Sequence, residues 1–314
     1  MSDKTKITQI QWQNDFNVNA DWKLIAGGSL ARQNLNSYAD YNSPSEVQYG
    51  RSAGSVFSGI NGKNGPHQFQ INARFDHVGQ SGSDTTGYAG YGYLLTPEFK
   101  LTASASTAFN APTLARLYDL SSGNIQLKSE TSTSYEAGFQ YAIKDTLIRL
   151  VGFQTNTKNQ FAKDPNCADI FSCQTINLAS ASNQGVEISA SSFWDQTNLR
   201  ASLTLQNPIN DETRKILDRN ARVYGAISAA HTYESWRFGA DLIFAGTRND
   251  QDYFASVEKN LSAYSKVNLT ARKKISNELS VYARIENALD RNYQTSYGYN
   301  SLPRSIFVGL NWQQ

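Results

Sequence analysis

The chain has 314 residues, a formal net charge of +2 and no Lys/Arg stripe, so nucleic acid is not an expected partner. No composition break, Pro/Ser-rich linker or charge run divides it, and it reads as one domain over 1–314. Its mean hydropathy is −0.51 and no run approaches the roughly 18 apolar residues of a spanning helix, which leaves a closed β-barrel as the one way it could cross a bilayer; a barrel averages polar because half its strand residues line a wet lumen.

Taken in chain order, alternation of apolar and polar residues predicts strands over 5–17, 20–31, 52–61, 66–78, 87–95, 99–108, 131–142, 146–157, 175–193, 197–206, 221–232, 236–246, 262–273, 279–287 and 304–313. In Gln68-Phe69-Gln70-Ile71-Asn72-Ala73-Arg74-Phe75 every second side chain is apolar. Period two means a strand with unlike faces. The same pattern sets Leu199, Ala201, Leu203 and Leu205 against Arg200, Ser202, Thr204 and Gln206, and Ile306, Val308, Leu310 and Trp312 against Phe307, Gly309 and Asn311. Aromatic residues fall at strand ends (Trp22, Tyr93, Phe99, Trp194, Trp236, Tyr293, Trp312), where a membrane barrel places its interfacial girdles.

Connections alternate in length. Those near 18–19, 62–65, 96–98, 143–145, 195–196, 233–235 and 274–278 are tight and carry turn residues, as periplasmic turns do; those near 32–51, 79–86, 109–130, 158–174, 207–220, 247–261 and 288–303 are long and rich in Asn, Asp, Ser and Tyr, as extracellular loops are. Fifteen antiparallel strands start and finish in the same direction, whereas single-chain bacterial barrels have even strand numbers. The expectation is therefore a barrel that does not close on its own, with an N-terminal portion elsewhere. No export signal precedes the first strand in Met1-Ser2-Asp3-Lys4, which fits a distal piece of a longer polypeptide or one whose signal has been removed. A soluble β-sandwich or propeller is the competing architecture.

Cys167 and Cys173 are the two cysteines, both inside the 158–174 connection. A loop-tip disulfide is the favoured reading, because an even count in an exported loop meets an oxidising compartment; two free thiols are the alternative, and no histidine stands nearby to complete a zinc site. His67 and His77 lie ten residues apart on one strand, roughly 33 Å at about 3.3 Å per residue, so they share neither metal nor substrate. Gly87-Tyr88-Ala89-Gly90-Tyr91-Gly92-Tyr93 opens no helix and reads as a tilted strand rather than a nucleotide loop. No catalytic motif, metal site or cofactor is expected, and the chain does not read as an enzyme.

Three segments carry a family resemblance: Phe109-Asn110-Ala111-Pro112-Thr113-Leu114 with Leu117-Tyr118, Gly123-Asn124 and Tyr135-Glu136-Ala137-Gly138; Asn177-Leu178-Ala179 with Gly185-Val186-Glu187; and Ile285-Glu286-Asn287-Ala288-Leu289-Asp290 with Tyr293, Tyr297-Gly298-Tyr299-Asn300 and Pro303-Arg304-Ser305. Together they resemble the TonB-dependent outer-membrane transporters, and among these the vitamin B12 (cobalamin) transporters most closely, along essentially the whole chain. Pro112 and Gly123 also read simply as shaping a long loop, and Asn287 with Asp290 as capping entry to the last hairpin. The resemblance implies an all-β transmembrane antiparallel barrel of 22 strands filled by an N-terminal plug, of which this chain would supply about fifteen, in the bacterial outer membrane. It implies cobalamin import driven by the TonB complex acting through a plug absent from this sequence. It also implies that Tyr253, in Gly246-Thr247-Arg248-Asn249-Asp250-Gln251-Asp252-Tyr253, and Arg219, in Leu217-Asp218-Arg219-Asn220-Ala221-Arg222, contact the ligand. A siderophore or other scarce nutrient, a passive porin-like channel and a soluble β-rich binding protein are the alternatives.

Overall fold

The computed structural model describes residues 2–40, 43–164, 173–252, 255 and 257–313. Alternating sequence becomes strand throughout: β1 (Ser2–Asn17), β2 (Trp22–Asp40), β3 (Ser43–Asn64), β4 (His67–Val78), β5 (Ser83–Leu94), β6 (Phe99–Asn110), β7 (Glu130–Ile143), β8 (Thr146–Lys163), β9 (Thr175–Trp194), β10 (Thr197–Gln206), β11 (Ile209–Asn210), β12 (Val223–Tyr233), β13 (Trp236–Ala245), β14 (Arg248–Asp252), β15 (Val257–Leu261), β16 (Tyr264–Lys274), β17 (Leu279–Glu286) and β18 (Ser305–Trp312). Among the described residues one α-helix, α1 (Leu114–Tyr118), interrupts them. Fifteen wall strands, β1 to β10, β12, β13 and β16 to β18, pair in that order into one sheet; β11 joins it through β9, and β14 pairs with β15 separately. Every neighbour is antiparallel, and among the described residues β1 and β18 each have a partner on one side only. The wall is an open arc.

Register carries one apolar face from strand to strand. Ile71 stands opposite Ala89, Ala89 opposite Ala105, and Ala105 opposite Tyr135; further round, Leu150, Ile188 and Leu203 line up, then Leu269, Ile285 and Ile306. These side chains point out of the arc: Ile71 is 57% and Leu310 71% exposed. The opposite face carries Asn72, Arg74, Lys100, Glu136, Arg149, Glu187, Arg200, Asp241, Lys266 and Arg272. A sandwich would press its apolar faces together, and among the described residues nothing covers them. Such a surface is stable only against lipid.

The two ends of the wall differ. At one end the connections are minimal: residues 65–66, 144–145, 195–196 and 234–235 join strands in two steps, and Gly65, Lys144, Asp195 and Glu234 take φ of +56°, +49°, +52° and +53°, as primed hairpin turns require at their first position. In the four-residue turns 18–21, 95–98 and 275–278 the second residue, Asn19, Thr96 or Ser276, accepts from the backbone N–H groups two and three residues on, replacing the lost ladder. Aromatic pairs gather here on the outer face, Trp22 with Phe69, Phe99 with Phe139 and Trp236 with Phe238 at 5.6 Å, with Lys273 over Trp236.

The long-loop end departs from the sequence reading in that strand runs on into several of its connections, β8 for example reaching Lys163. The connection expected over 32–51 is strand instead: β2 runs on to Asp40 and β3 begins at Ser43, while β1 pairs with β2 along its whole length. Beyond the bilayer no lipid selects apolar residues, so the alternation fades although both ladders continue. The connection expected over 79–86 likewise shrinks to a 3-10 turn at Gly79–Ser81 before β5.

Candidate ligand-binding loops

Most of the apolar core of the described residues sits at this end. Leu35, Leu114, Leu117, Leu127, Ile209 and Leu261 are buried. The helix α1 starts where the Thr113 side chain accepts from Arg116 N–H, a usual cap, and packs on the extensions of β2 and β3, with Tyr118 stacked on Tyr49 at 4.0 Å. Motif residues tie this loop to β9: Asn177 accepts from Lys128 N–H at 2.9 Å and donates to Lys128 O, while Asn124 donates to Thr175 O.

A second cluster centres on Asp250, which is wholly buried. Its carboxylate accepts from Arg219 Nε at 2.9 Å, Tyr297 N–H at 2.7 Å and Gln251 N–H at 2.9 Å. Three loops therefore meet on one side chain. Arg219 adopts φ +64° and donates its own N–H to Asn249 O at 2.7 Å, so its backbone as well as its side chain is fixed to the β14–β15 hairpin. Two residues earlier on the same face of β14, buried Arg248 donates to Gln294 O at 2.8 Å and lies over Tyr264, which stacks on Tyr293. Asn287, with φ +50°, closes the last loop by accepting from Arg291 N–H and donating to Arg291 O, and Asp290 accepts from Arg304 N–H. The caps expected at Asn287 and Asp290 form.

Between the clusters opens a cavity of about 620 Å³ whose lining includes Phe161, Lys163, Leu178, Lys215, Asp218 and Arg219, within the roughly 300–1,000 Å³ usual for ligand pockets. Its electrostatics are mixed. Burial, and then the neighbouring carboxylates of Asp250 and Glu258, push Asp218 above its ordinary 3.8. Burial works in the same direction on Asp250, but hydrogen bonds from Tyr297, Gln251 and Arg219 outweigh it and hold that carboxyl below 3.8. Lys215 pairs with Glu258 at 3.0 Å.

Of the residues expected to act here, Arg219 reaches the cavity wall with about half its side chain exposed. Tyr253 and Cys167 lie outside the described residues. Cys173 is buried, and no free cysteine occurs among the described residues. No group of three or more His, Cys, Asp or Glu able to hold a metal occurs among them either. Asp250 stands in the 246–253 segment that carries the family resemblance, but its partners lie 31 and 47 residues away, and no local pattern records them.

Residues 2–288 match the family described as TonB dependent receptor-like, beta-barrel. The chain belongs to the TonB-dependent receptor β-barrel family. It is 29% identical to the vitamin B12 transporter BtuB of Vibrio cholerae serotype O1 over 99% of its own length and 50% of that protein, and 28% identical, with the same coverage, to BtuB of Photobacterium profundum. This TonB-dependent receptor barrel thus spans about half the length of the curated relatives it matches. Its fold is shared with the ferric enterobactin receptor PfeA of Pseudomonas aeruginosa (TM-score 0.80, 18% identity, covering 99% of this chain and 54% of that one) and with the copper transporter OprC (TM-score 0.78, 14% identity, covering 99% and 57%). Family and outward apolar face together place it in the outer membrane, with the short turns periplasmic and the loop clusters extracellular.

Proposed function

We propose that this chain is the barrel portion of an active outer-membrane transporter that binds and imports cobalamin, energised through the TonB complex acting on a plug that fills the lumen. The observation carrying this reading is the 29% identity to a vitamin B12 transporter over 99% of the chain. The siderophore and copper proteins share less than 20% and speak for the fold alone. The loop cavity fits in kind: a large ligand studded with amides needs an aromatic or aliphatic wall with a few fixed polar groups, and Phe161 and Leu178 line it together with Arg219, Gln251 and Lys163. On this reading Arg219 and Tyr253 touch the ligand, and a Cys167–Cys173 disulfide stiffens the loop that follows β8.

Unpaired strand edges in hydrocarbon cost several kcal/mol per group, so β1 and β18 need further strands before this arc can serve as a pore. Binding of labelled cyanocobalamin to outer membranes carrying the complete gene product tests the reading. Saturable uptake that unlabelled cobalamin abolishes and ferric siderophores leave untouched is expected; the reverse competition would assign the protein to the siderophore receptors instead.

A further inference from the structure

The residues around the loop cavity differ in how their charges are met. In the 207–220 loop, Lys215 pairs with Glu258 and Arg219 with Asp250, so each cation there has its carboxylate. At the end of β8 the arrangement is different. Phe161 and Lys163, both lining the cavity, stand two residues apart and so on one side of the strand. The guanidinium of Arg116, an exposed residue of α1, lies over the Phe161 ring at 4.6 Å. Lys163 donates to a neutral acceptor, Cys173 O, at 2.8 Å. None of the ion pairs among the described residues involves Arg116 or Lys163. The β8 side of the cavity thus offers an aromatic ring beside two cations.

Phe161 is also held in place. Two residues before it Asn159 adopts φ +55°, a conformation that asparagine tolerates better than most side chains. The Asn159 carbonyl accepts from Asn177 Nδ2 at 2.6 Å, and Phe161 N–H donates to Glu130 Oε1 at 2.5 Å. Pairing with β9 resumes in the same register at Gln160, opposite Leu178. The tip of β8 is therefore tied to β7 and β9 by polar bonds independent of any ligand, and a ring fixed in advance costs less ordering on binding.

We propose that Phe161, Arg116 and Lys163 form a subsite for an aromatic base joined to a phosphodiester, the base packing on Phe161 and the phosphodiester pairing with the two cations. The inference rests on the cobalamin reading, under which this group is the nucleotide tail of the ligand. Amides clothe the remainder of the corrin periphery, and the phosphodiester is its one anionic substituent, so an excess of cations selects that end. A guanidinium can lie on a ring and fork a phosphate at once, and an aromatic face gains most from a second ring. At about 620 Å³ the cavity takes a part of so large a ligand and not the whole.

The test measures equilibrium binding of cyanocobalamin and of dicyanocobinamide, the same corrin without the nucleotide tail, to outer membranes carrying the complete gene product. Arg116→Gln is expected to weaken cyanocobalamin by about tenfold and Phe161→Leu by about fivefold, with cobinamide binding unchanged. Lys163→Gln should act in the same direction by about threefold, as the loss of a point charge. Phe161→Tyr keeps the ring and should bind cyanocobalamin as the wild type does. Heat-modifiable migration on gels confirms that each variant folds and inserts. Equal losses for the two corrinoids, or none for cyanocobalamin, would overturn the subsite and leave the cobalamin reading standing. A loss on Phe161→Tyr as large as on Phe161→Leu would overturn the stacking role of the ring. Wild-type binding of a ferric catecholate and of neither corrinoid would overturn the cobalamin reading, and the nucleotide tail with it.

Discussion

In the wall, Ile71, Val56 and Leu310 are 57%, 62% and 71% exposed, whereas in the extracellular cap Leu35, Leu114 and Leu117 are 0%, 3% and 7% exposed. Residues of the same chemistry thus meet opposite surroundings within one chain. The wall relies on its ladders and on lipid, and has no core of its own; the cap relies on ordinary burial and on polar side chains that satisfy loop backbone. The difference predicts that the two regions respond to different substitutions, and that damage to one stays out of the other.

Leu35→Ala should act most strongly. Removing a buried leucine beneath α1 costs about 2–5 kcal/mol, and hydrogen exchange should show faster opening of amides in 111–129 while those of β4 to β10 keep their protection. Equal acceleration in the wall would end the distinction. Ile71→Arg, by contrast, should destabilise the wall by about 2–4 kcal/mol, the cost of a cation against lipid near the midplane, while Asn72→Arg on the lumen face should stay within about 0.5 kcal/mol. Urea unfolding in bilayers measures both. A similar cost for the two would mean that the faces are not distinguished by lipid.

The same division governs how much could be read from sequence. All fifteen wall strands are legible because lipid on one side and water on the other impose period two, and their order along the sheet matches their order along the chain. The extension of β2 past Ala31 is not legible for the same reason in reverse: Asn34, Asn36 and Ser37 sit above the bilayer, where that selection lapses. In the cap, Asn287 and Asp290 could be recognised because a cap is a local device. Asp250 could not, since its value comes from Tyr297 N–H and Arg219 arriving from distant loops.

Asp250→Asn sharpens the comparison within the cap. The amide keeps the shape and one acceptor but loses the charge facing Arg219 and the backbone of Tyr297, for an expected cost of about 1–2 kcal/mol, discounted because Arg219 is half exposed. Exchange in 288–303 and ligand affinity should both suffer, and α1 should not. Arg219→Lys should recover less than half of what Arg219→Ala loses in affinity if the fixed fork matters; full recovery would reduce Arg219 to a point charge.

The smallest effect is the most diagnostic, because Asp218 and Asp250 are shifted in opposite directions. Asp250 lies below 3.8 in the folded protein, so its contribution is fully present above 3.8 and is lost as pH falls through its folded value. Asp218 lies above 3.8, so it costs nothing in acid and costs stability as pH rises from 3.8 through its folded value. The cap should therefore be most resistant to proteolysis near pH 3.8, where Asp250 is already ionised and Asp218 still largely protonated, and looser on either side. Asp218→Asn should tighten it at neutral pH while leaving the acid loss in place; Asp250→Asn should reduce the acid loss to what Asp119, held below 3.8 against burial by Ser121 and Ser122, contributes and, by taking away a carboxylate that helps raise Asp218, also soften the rise of that cost with pH. A cap that loosens at neutral pH on Asp218→Asn would mean that this carboxylate is held by a partner stronger than the burial and repulsion acting on it.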